Sequence, residues 1–342
     1  MRHQWMDTWK VVRLASLTTA PMVAVAALAA LAALSSSPAL AGDAAAYPVK
    51  PVKIVVSFPP GTGSDSTARF LAQKMEARFG QPFVVENRPG ANSFIAAQAV
   101  ARAAPDGYTL FVASNSPMAT NAVQFKSLPY DPVKDFAPVA RLYYGAMVLS
   151  VPATSPYRTV QDLIRDGKAR PGKLSYGSGS ASYQIATELF LKQAGVKAVA
   201  IPYKGAAPAV ADLAGGQVDF ALSDYTAAAA LAQAGKTRIL AVTGDKRLDV
   251  EPDVPTLQEL GFKDYYMINW VSLFAPARTP RPIVDKLSQA AVEIFNSKEA
   301  AEFIGRTNGQ IFAGGADVLR QFQLDEIKRW SAAATLAGIP KQ

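Results

Sequence analysis

The segment Lys53-Ile54-Val55-Val56-Ser57-Phe58-Pro59-Pro60-Gly61-Thr62-Gly63-Ser64-Asp65-Ser66-Thr67 reads as a buried strand that turns sharply into a helix. Ile54, Val55 and Val56 favour an extended, packed chain. Pro59 and Pro60 donate no N–H, and Gly61 and Gly63 let the backbone come close to a ligand. The hydroxyl residues and Asp65 then cap a helix expected from about Asp65 to Phe79, whose unpaired N–H groups point outward and attract an anion, phosphate or carboxylate.

Beyond this corner, strand-like and helix-like stretches alternate at the spacing of βαβ units. A first block carries strands at Val52–Phe58, Phe83–Glu86 and Thr109–Ala113, with a helix around Phe94–Ala103. From Ser114 to Val139 the chain reads as irregular. A second block places strands at Gly145–Val151, Lys173–Tyr176, Ala198–Pro202, Val218–Ser223 and Arg238–Thr243, separated by helices, as another parallel-type sheet. The tail, with one strand at Trp270–Ala275 and helices near Pro280–Asn296, Lys298–Gly305 and Ala316–Ala337, returns to the first block. The expected fold is therefore α/β: two lobes, each a mostly parallel sheet flanked by helices, with domain 1 formed by 47–143 plus 264–342 and domain 2 by 144–263. Crossing segments between such lobes make a hinge.

The N-terminal segment has another character. Arg2, Lys10 and Arg13 precede an apolar run from about Ala15 to Leu34, followed by Ser35-Ser36-Ser37-Pro38 and Ala39-Leu40-Ala41, the order of a secretory signal peptide (1–41) cut after Ala41. A retained membrane anchor is the rival reading, but Thr18, Thr19 and Pro21 interrupt a run already short for the ~20 apolar residues of a span. Removing 1–41 takes away three basic residues and Asp7 from totals of 35 and 27, leaving 32 basic and 26 acidic residues and a net charge of +6. Basic residues are scattered without a run, so nucleic acid is not an expected partner, while a mild positive field would steer an anion. With no cysteine, no disulfide supports the fold outside the cell. His3, the only histidine, leaves with the signal segment, and imidazole catalysis and His or Cys metal ligation leave with it.

Each candidate ligand corner has Gly, Ser, Thr or Asn directly after a strand: Ser57–Thr67, Ser114-Asn115-Ser116, Ser175–Ser182 and Tyr203-Lys204-Gly205. Ligands of open α/β sheets bind at the carboxyl ends of strands, where these corners should meet, although plain helix capping explains the same residues. Nucleotide and hydrolase signatures fail. Ser66 stands at the third glycine of a dinucleotide fingerprint, no Gly-Lys-Ser/Thr follows the glycines, and Gly179 occupies the nucleophile position of Gly-x-Ser-x-Gly. A Ser–Lys mechanism through Lys204 remains the only enzymatic alternative, against Lys204 as a solvated or anion-pairing residue. Asp65 reads as a helix cap before a metal ligand; Phe58 as core or as packing on a ligand's carbon skeleton; Trp270 as core or hinge. Asp224 and Tyr225 end a strand at the presumed cleft, as structural hydrogen-bonding groups or as contacts to a ligand amine, amide or hydroxyl. No cofactor and no metal are expected.

Ordered motifs along nearly the whole mature chain resemble the Bug family, the extracytoplasmic substrate-binding receptors of tripartite tricarboxylate transporters. They include Tyr47-Pro48, Phe58-Pro59-Pro60-Gly61 with Asp65 and Arg69, Glu86-Asn87-Arg88-Pro89-Gly90-Ala91, Pro105-Asp106-Gly107-Tyr108, Leu128-Pro129-Tyr130-Asp131-Pro132, Pro202-Tyr203-Lys204-Gly205, Gly215-Gly216-Gln217-Val218-Asp219 and Pro252-Asp253-Val254-Pro255-Thr256. The resemblance implies a type II periplasmic binding fold, a periplasmic location, a monomer, and a small carboxylate (an amino acid, amide or aromatic acid among the options) passed to membrane transporter subunits. A sensor feeding a membrane signalling protein is the alternative. Carried onto this chain, the resemblance implies ligand contacts from Phe58, Gly61, Thr62, Gly63, Ser64 and Asp65, facing Gly177, Ser178, Gly179, Ser180, Ser182 and Asp224; Ser114, Asn115, Lys204 and Tyr225 complete the expected site. Departures fall at the ligand: Gly61-Thr62 replaces Gly-Gly, Ala91-Asn92-Ser93 replaces Ala-Gly-Gly, and Gln184-Ile185, preceded by Tyr183, replaces a His-Leu pair.

Overall fold

The quoted segment folds as strand β1 (Val52–Val56) running into helix α1 (Gly63–Phe79). The computed structural model describes residues 45–306 and 309–342, so the expected signal segment 1–41 lies outside the described residues. After α1 come β2 (Phe83–Asn87), α2 (Phe94–Ala101), β3 (Thr109–Ser114), a π-helical turn (Ser116–Thr120), α3 (Asn121–Gln124) and β4 (Phe136–Pro152). Next are α4 (Val160–Ala169), β5 (Leu174–Ser178), α5 (Ala181–Ala194), β6 (Ala198–Pro202), α6 (Ala206–Ala214), β7 (Phe220–Asp224), α7 (Tyr225–Gln233) and β8 (Thr237–Val242). The chain ends with β9 (Ile268–Pro276), α8 (Arg281–Phe295), α9 (Lys298–Arg306), β10 (Gly309–Gly314) and α10 (Ala316–Ala337).

Two sheets share one strand. The first runs β2-β1-β3-β9-β4-β10, the second β8-β4-β7-β5-β6. Residues 136–146 of β4 pair with β9, and from Met147 onward the same strand pairs with β7 and β8. Parallel pairing is confined to β1, β2 and β3 and to β5, β6 and β7; strands β4, β8, β9 and β10 pair antiparallel, so each sheet is mixed where the sequence suggested a mostly parallel one. The reason is the crossing: a strand that leaves one sheet for the other, and the strand that returns beside it, run in opposite directions.

Thr243 ties the outgoing and returning segments together. Its N–H donates to the Met147 carbonyl (3.0 Å), its hydroxyl oxygen accepts from the Met147 N–H (2.8 Å), and the hydroxyl donates to the Met267 carbonyl (2.5 Å). This fully buried threonine therefore pins β4 to the chain entering β9 at the point where the sheets divide.

Trp270 belongs to the core. It is fully buried on β9, and its indole N–H donates to Glu326 of α10 (2.8 Å), which also accepts from Trp330 (3.1 Å). Helix α10 packs on β4, on the π-helical turn and on α5, so it spans elements of both sheets. Residues Tyr47–Gln342 form one compact unit.

Candidate ligand-binding cleft

Asp65 builds the first corner from within. Thr62 caps α1, its hydroxyl oxygen accepting from the Asp65 N–H (3.4 Å) and donating to the Pro59 carbonyl (3.1 Å). The Asp65 carboxylate turns back to accept from the Gly61 N–H (3.1 Å), Arg69 (3.0–3.2 Å) and the Asn87 amide (2.9 Å), and Asn87 also donates to the Phe58 carbonyl (2.9 Å). The turn needs Gly61, whose φ of +85° lies in the left-handed region. Residues 58–62 are thus shaped by a carboxylate that faces their interior.

The neighbouring corner closes against the second half of the molecule. Ser116, after β3, shares a hydrogen bond with Ser182 at the start of α5 (2.7 Å), and Thr120 lies 3.2 Å from the same hydroxyl. Gln124 donates to Gln184 (2.6 Å), and the Asn115 amide donates to the Ile268 carbonyl (3.4 Å). Asn115 and Ser182, expected at the ligand, instead join elements of the protein to one another.

On the other side, Gly179 and Gly205 permit a close approach. A Cβ on Gly179 would lie 2.5–2.7 Å from backbone atoms of Gly205 and Ala206, and one on Gly205 would lie 2.7 Å from Cδ of Pro59. Bare backbone at these positions lets the start of α6 pack beside the start of α5 and against the proline corner of the first half. Gly177 packs beneath Ala209, and the Ser178 hydroxyl donates to the Ser180 carbonyl (3.3 Å).

Between the halves lies a small cavity lined by Phe58, Thr62, Ser64, Ser114, Ser180, Tyr183, Ala206, Asp224 and Asn269. Four helix N-termini meet there: Thr62 begins α1, Ser180 begins α5, Gly205 and Ala206 begin α6, and Asp224 begins α7. Their unpaired N–H groups and aligned peptide dipoles favour an anion. Among the described residues no lysine or arginine lines the cavity, and Asp224 is its lining carboxylate. Among the described residues no group of three His, Cys, Asp or Glu side chains gathers to hold a metal ion.

Asp224 is held by neutral donors alone. Its carboxylate accepts from the Tyr183 hydroxyl (2.9 Å) and the Ala227 N–H (3.0 Å), and the N–H groups of Gly63 and Asp224 also favour its charged form. Burial raises its carboxyl above the ordinary value of 3.8, and these hydrogen bonds pull in the other direction. Tyr183 and Tyr143, the phenols beside it, are themselves pushed up, chiefly by burial and further by the Asp224 charge. A Cβ on Gly63 would meet the Tyr143 hydroxyl at 2.6 Å and stand 3.5 Å from Asp224 Oδ1, so glycine is what lets the start of α1 come this close to both.

The remaining expected residues stand apart. Lys204 is solvent-exposed and does not line the cavity. Tyr225 turns away into a satellite apolar cluster with Val148, Ala228, Val242 and Leu248, its hydroxyl donating to Glu251 (3.2 Å). Conversely, Tyr183, Ala206 and Asn269 line the cavity without having been expected there. Tyr183 carried a signal, a tyrosine on the first turn after a serine corner. Asn269 had none, because its place follows from the pairing of β9 with β4.

A profile of the tripartite tricarboxylate transporter family receptors matches residues 67–338. The chain belongs to this family. BugT of Bordetella pertussis is 34% identical over 298 residues, covering 86% of this chain and 91% of BugT. Among solved structures, Rpa4515 of R. palustris, described with adipate, shares 34% identity at a TM-score of 0.84, covering 86% of this chain and 100% of that one. MatC from Rhodopseudomonas palustris, with bound malate, shares 29% identity at a TM-score of 0.79, covering 84% and 99%. The family is one of substrate-binding receptors with the two-lobed periplasmic binding protein fold. Among the described residues no helix is long and apolar enough to cross a membrane.

Proposed function

We propose that this protein is a periplasmic solute-binding receptor that captures a small organic carboxylate between its lobes by hinge closure and delivers it to the membrane subunits of a tripartite tricarboxylate-type transporter. The observation that carries this reading is the convergence of four helix N-termini on one cavity that, among the described residues, no basic side chain lines. A carboxylate there is met by backbone N–H groups and hydroxyls, and the exclusion of water strengthens each of those bonds. The adipate and malate named with two related structures are both carboxylates.

Closure follows from the connections. The lobes, 47–143 with 264–342 and 144–263, join where β4 changes sheets and where Thr243 meets Met147 and Met267. A ligand seated on the first corner is then covered by the starts of α5, α6 and α7. Export through the signal segment 1–41 brings the protein to the compartment where such capture occurs. The reading assigns no chemistry to the protein, and Lys204, exposed and outside the cavity lining, gives a Ser–Lys mechanism no support.

Calorimetric titration of the mature protein with mono-, di- and tricarboxylates, amino acids and aromatic acids tests the proposal. At least one should bind with a Kd on the order of 1 μM, about −8 kcal/mol. Absence of binding across the panel overturns it.

A further inference from the structure

The cavity holds one buried anion of its own, and that constrains what else it accepts. Asp224 is nine-tenths buried and lines the space. An ionised carboxylate offers about four acceptor positions. Two hydrogen bonds reach it, from the Tyr183 hydroxyl and the Ala227 N–H, which leaves room for a further donor. Among the described residues no cation pairs with it. At the other end, Ser64 and Ser180 are buried to 4% and 3% exposure, line the same cavity, and have side-chain hydroxyls with no hydrogen-bond partner among the described residues. Free hydroxyls beside two helix N-termini suit a carboxylate; an acceptor-only carboxylate beside them suits a donor.

We infer that the ligand is a compact acid with one carboxylate, held by Ser64, Ser180 and the starts of α1 and α5, and one hydrogen-bond donor, an amine, amide or hydroxyl, held by Asp224. This rests on the carboxylate-receptor reading and narrows it. A dicarboxylate would place its second anion against Asp224 in a desolvated site, where like charges are costly. A donor in the same place completes the carboxylate's hydrogen bonding, and a hydrogen bond to a charged group is worth about 10-fold or more in affinity.

Calorimetry on matched pairs reads the difference directly: β-alanine against malonate, 4-aminobutyrate against succinate, and 5-aminopentanoate against glutarate. The wild-type protein should bind the amino acid of at least one pair about 10-fold or more tightly than its dicarboxylate partner. Asp224→Asn should erase that preference. Equal or tighter binding of the dicarboxylate in every pair overturns the inference while leaving the carboxylate receptor standing, as does an unchanged preference in Asp224→Asn. If no compound of the three pairs or of the wider panel binds, both readings fall. Should Asp224→Asn not fold, as judged by its thermal melt, the wild-type ranking alone decides.

Discussion

Asp65 and Asp224 each stand at the start of a helix beside the same cavity, and both are buried, yet their surroundings give them opposite roles. Asp65 is paired with Arg69 and saturated by Gly61 and Asn87, so its charge is spent on shaping residues 58–62. Asp224 has only neutral donors and lines the cavity. Acidic residues at a binding corner sort accordingly: a carboxylate with its own cation is scaffold, and one left without a cation at a cavity wall is available to a ligand.

That contrast matters only if the two corners meet around the ligand, and the largest effect should come from preventing it. In Gly205→Ala the new Cβ would sit 2.7 Å from the Pro59 ring, which cannot bend away as a flexible side chain would. Misplacing binding groups by an ångström costs on the order of 100-fold. Binding of whichever carboxylate the panel identifies should weaken by about that factor, with the thermal midpoint nearly unchanged. Undiminished affinity would mean that Pro59 and Gly205 do not approach in the bound form.

Next in size is the contrast in stability. Asp65→Ala strands the Gly61 N–H, the Asn87 amide and the Arg69 guanidinium, and unsatisfied buried groups cost about 1–3 kcal/mol each. With Arg69 half-exposed and able to find water, a total of about 3 kcal/mol is expected from urea unfolding. Asp224→Asn keeps an acceptor for Ala227 and a polar partner for Tyr183, and should change stability by less than about 1 kcal/mol. Equal losses in the two variants would erase the distinction between them.

How much of this was legible in the sequence depended on whether the determinant was local. The first corner was readable because β-branched residues, prolines, glycines and cap residues sit next to one another, and α1 starts at Gly63, two residues before the position expected. The latter half of β4 was readable for the same reason. Its first half, Phe136–Tyr144, carries Pro138, Arg141 and two register shifts, and is a strand only because β9 and β10 flank it. Strand β10, Gly309–Gly314, is short and bounded by glycines, with no local signal of its own. The site divides likewise: Phe58, Thr62, Ser64, Ser114, Ser180 and Asp224 lie on corners that the sequence marks, whereas Asn269 reaches the cavity through tertiary pairing. Residue type could not separate Asp65 from Asp224, because the cation that distinguishes them, Arg69, matters through its geometry.

The smallest effect is a slope with pH, and it addresses the charge of Asp224 directly. Its carboxyl is raised chiefly by burial, against hydrogen bonds from Tyr183 and the N–H groups of Ala227, Asp224 and Gly63; the facing phenols, Tyr183 and Tyr143, are pushed up and stay uncharged. A carboxyl that keeps its proton to higher pH when folded means that the native state binds more protons than the unfolded chain just above pH 3.8. Stability then falls as pH rises through that window and levels off above the raised value, losing about 1.4 kcal/mol for each tenfold gain in the carboxyl's proton affinity on folding. Glu326, buried between two indoles and raised from 4.5 chiefly by burial, slopes the same way, whereas Asp166, held at about 2 by Arg170 and Tyr157, slopes oppositely at lower pH. The informative quantity is therefore the wild-type stability minus that of Asp224→Asn, from urea unfolding between about pH 4 and pH 7. That difference should favour the wild-type protein most at the acidic end and shrink as pH rises. A difference that is flat with pH would show that Asp224 ionises as an ordinary carboxyl, and the scarcity of charge compensation on which its contrast with Asp65 rests would be gone.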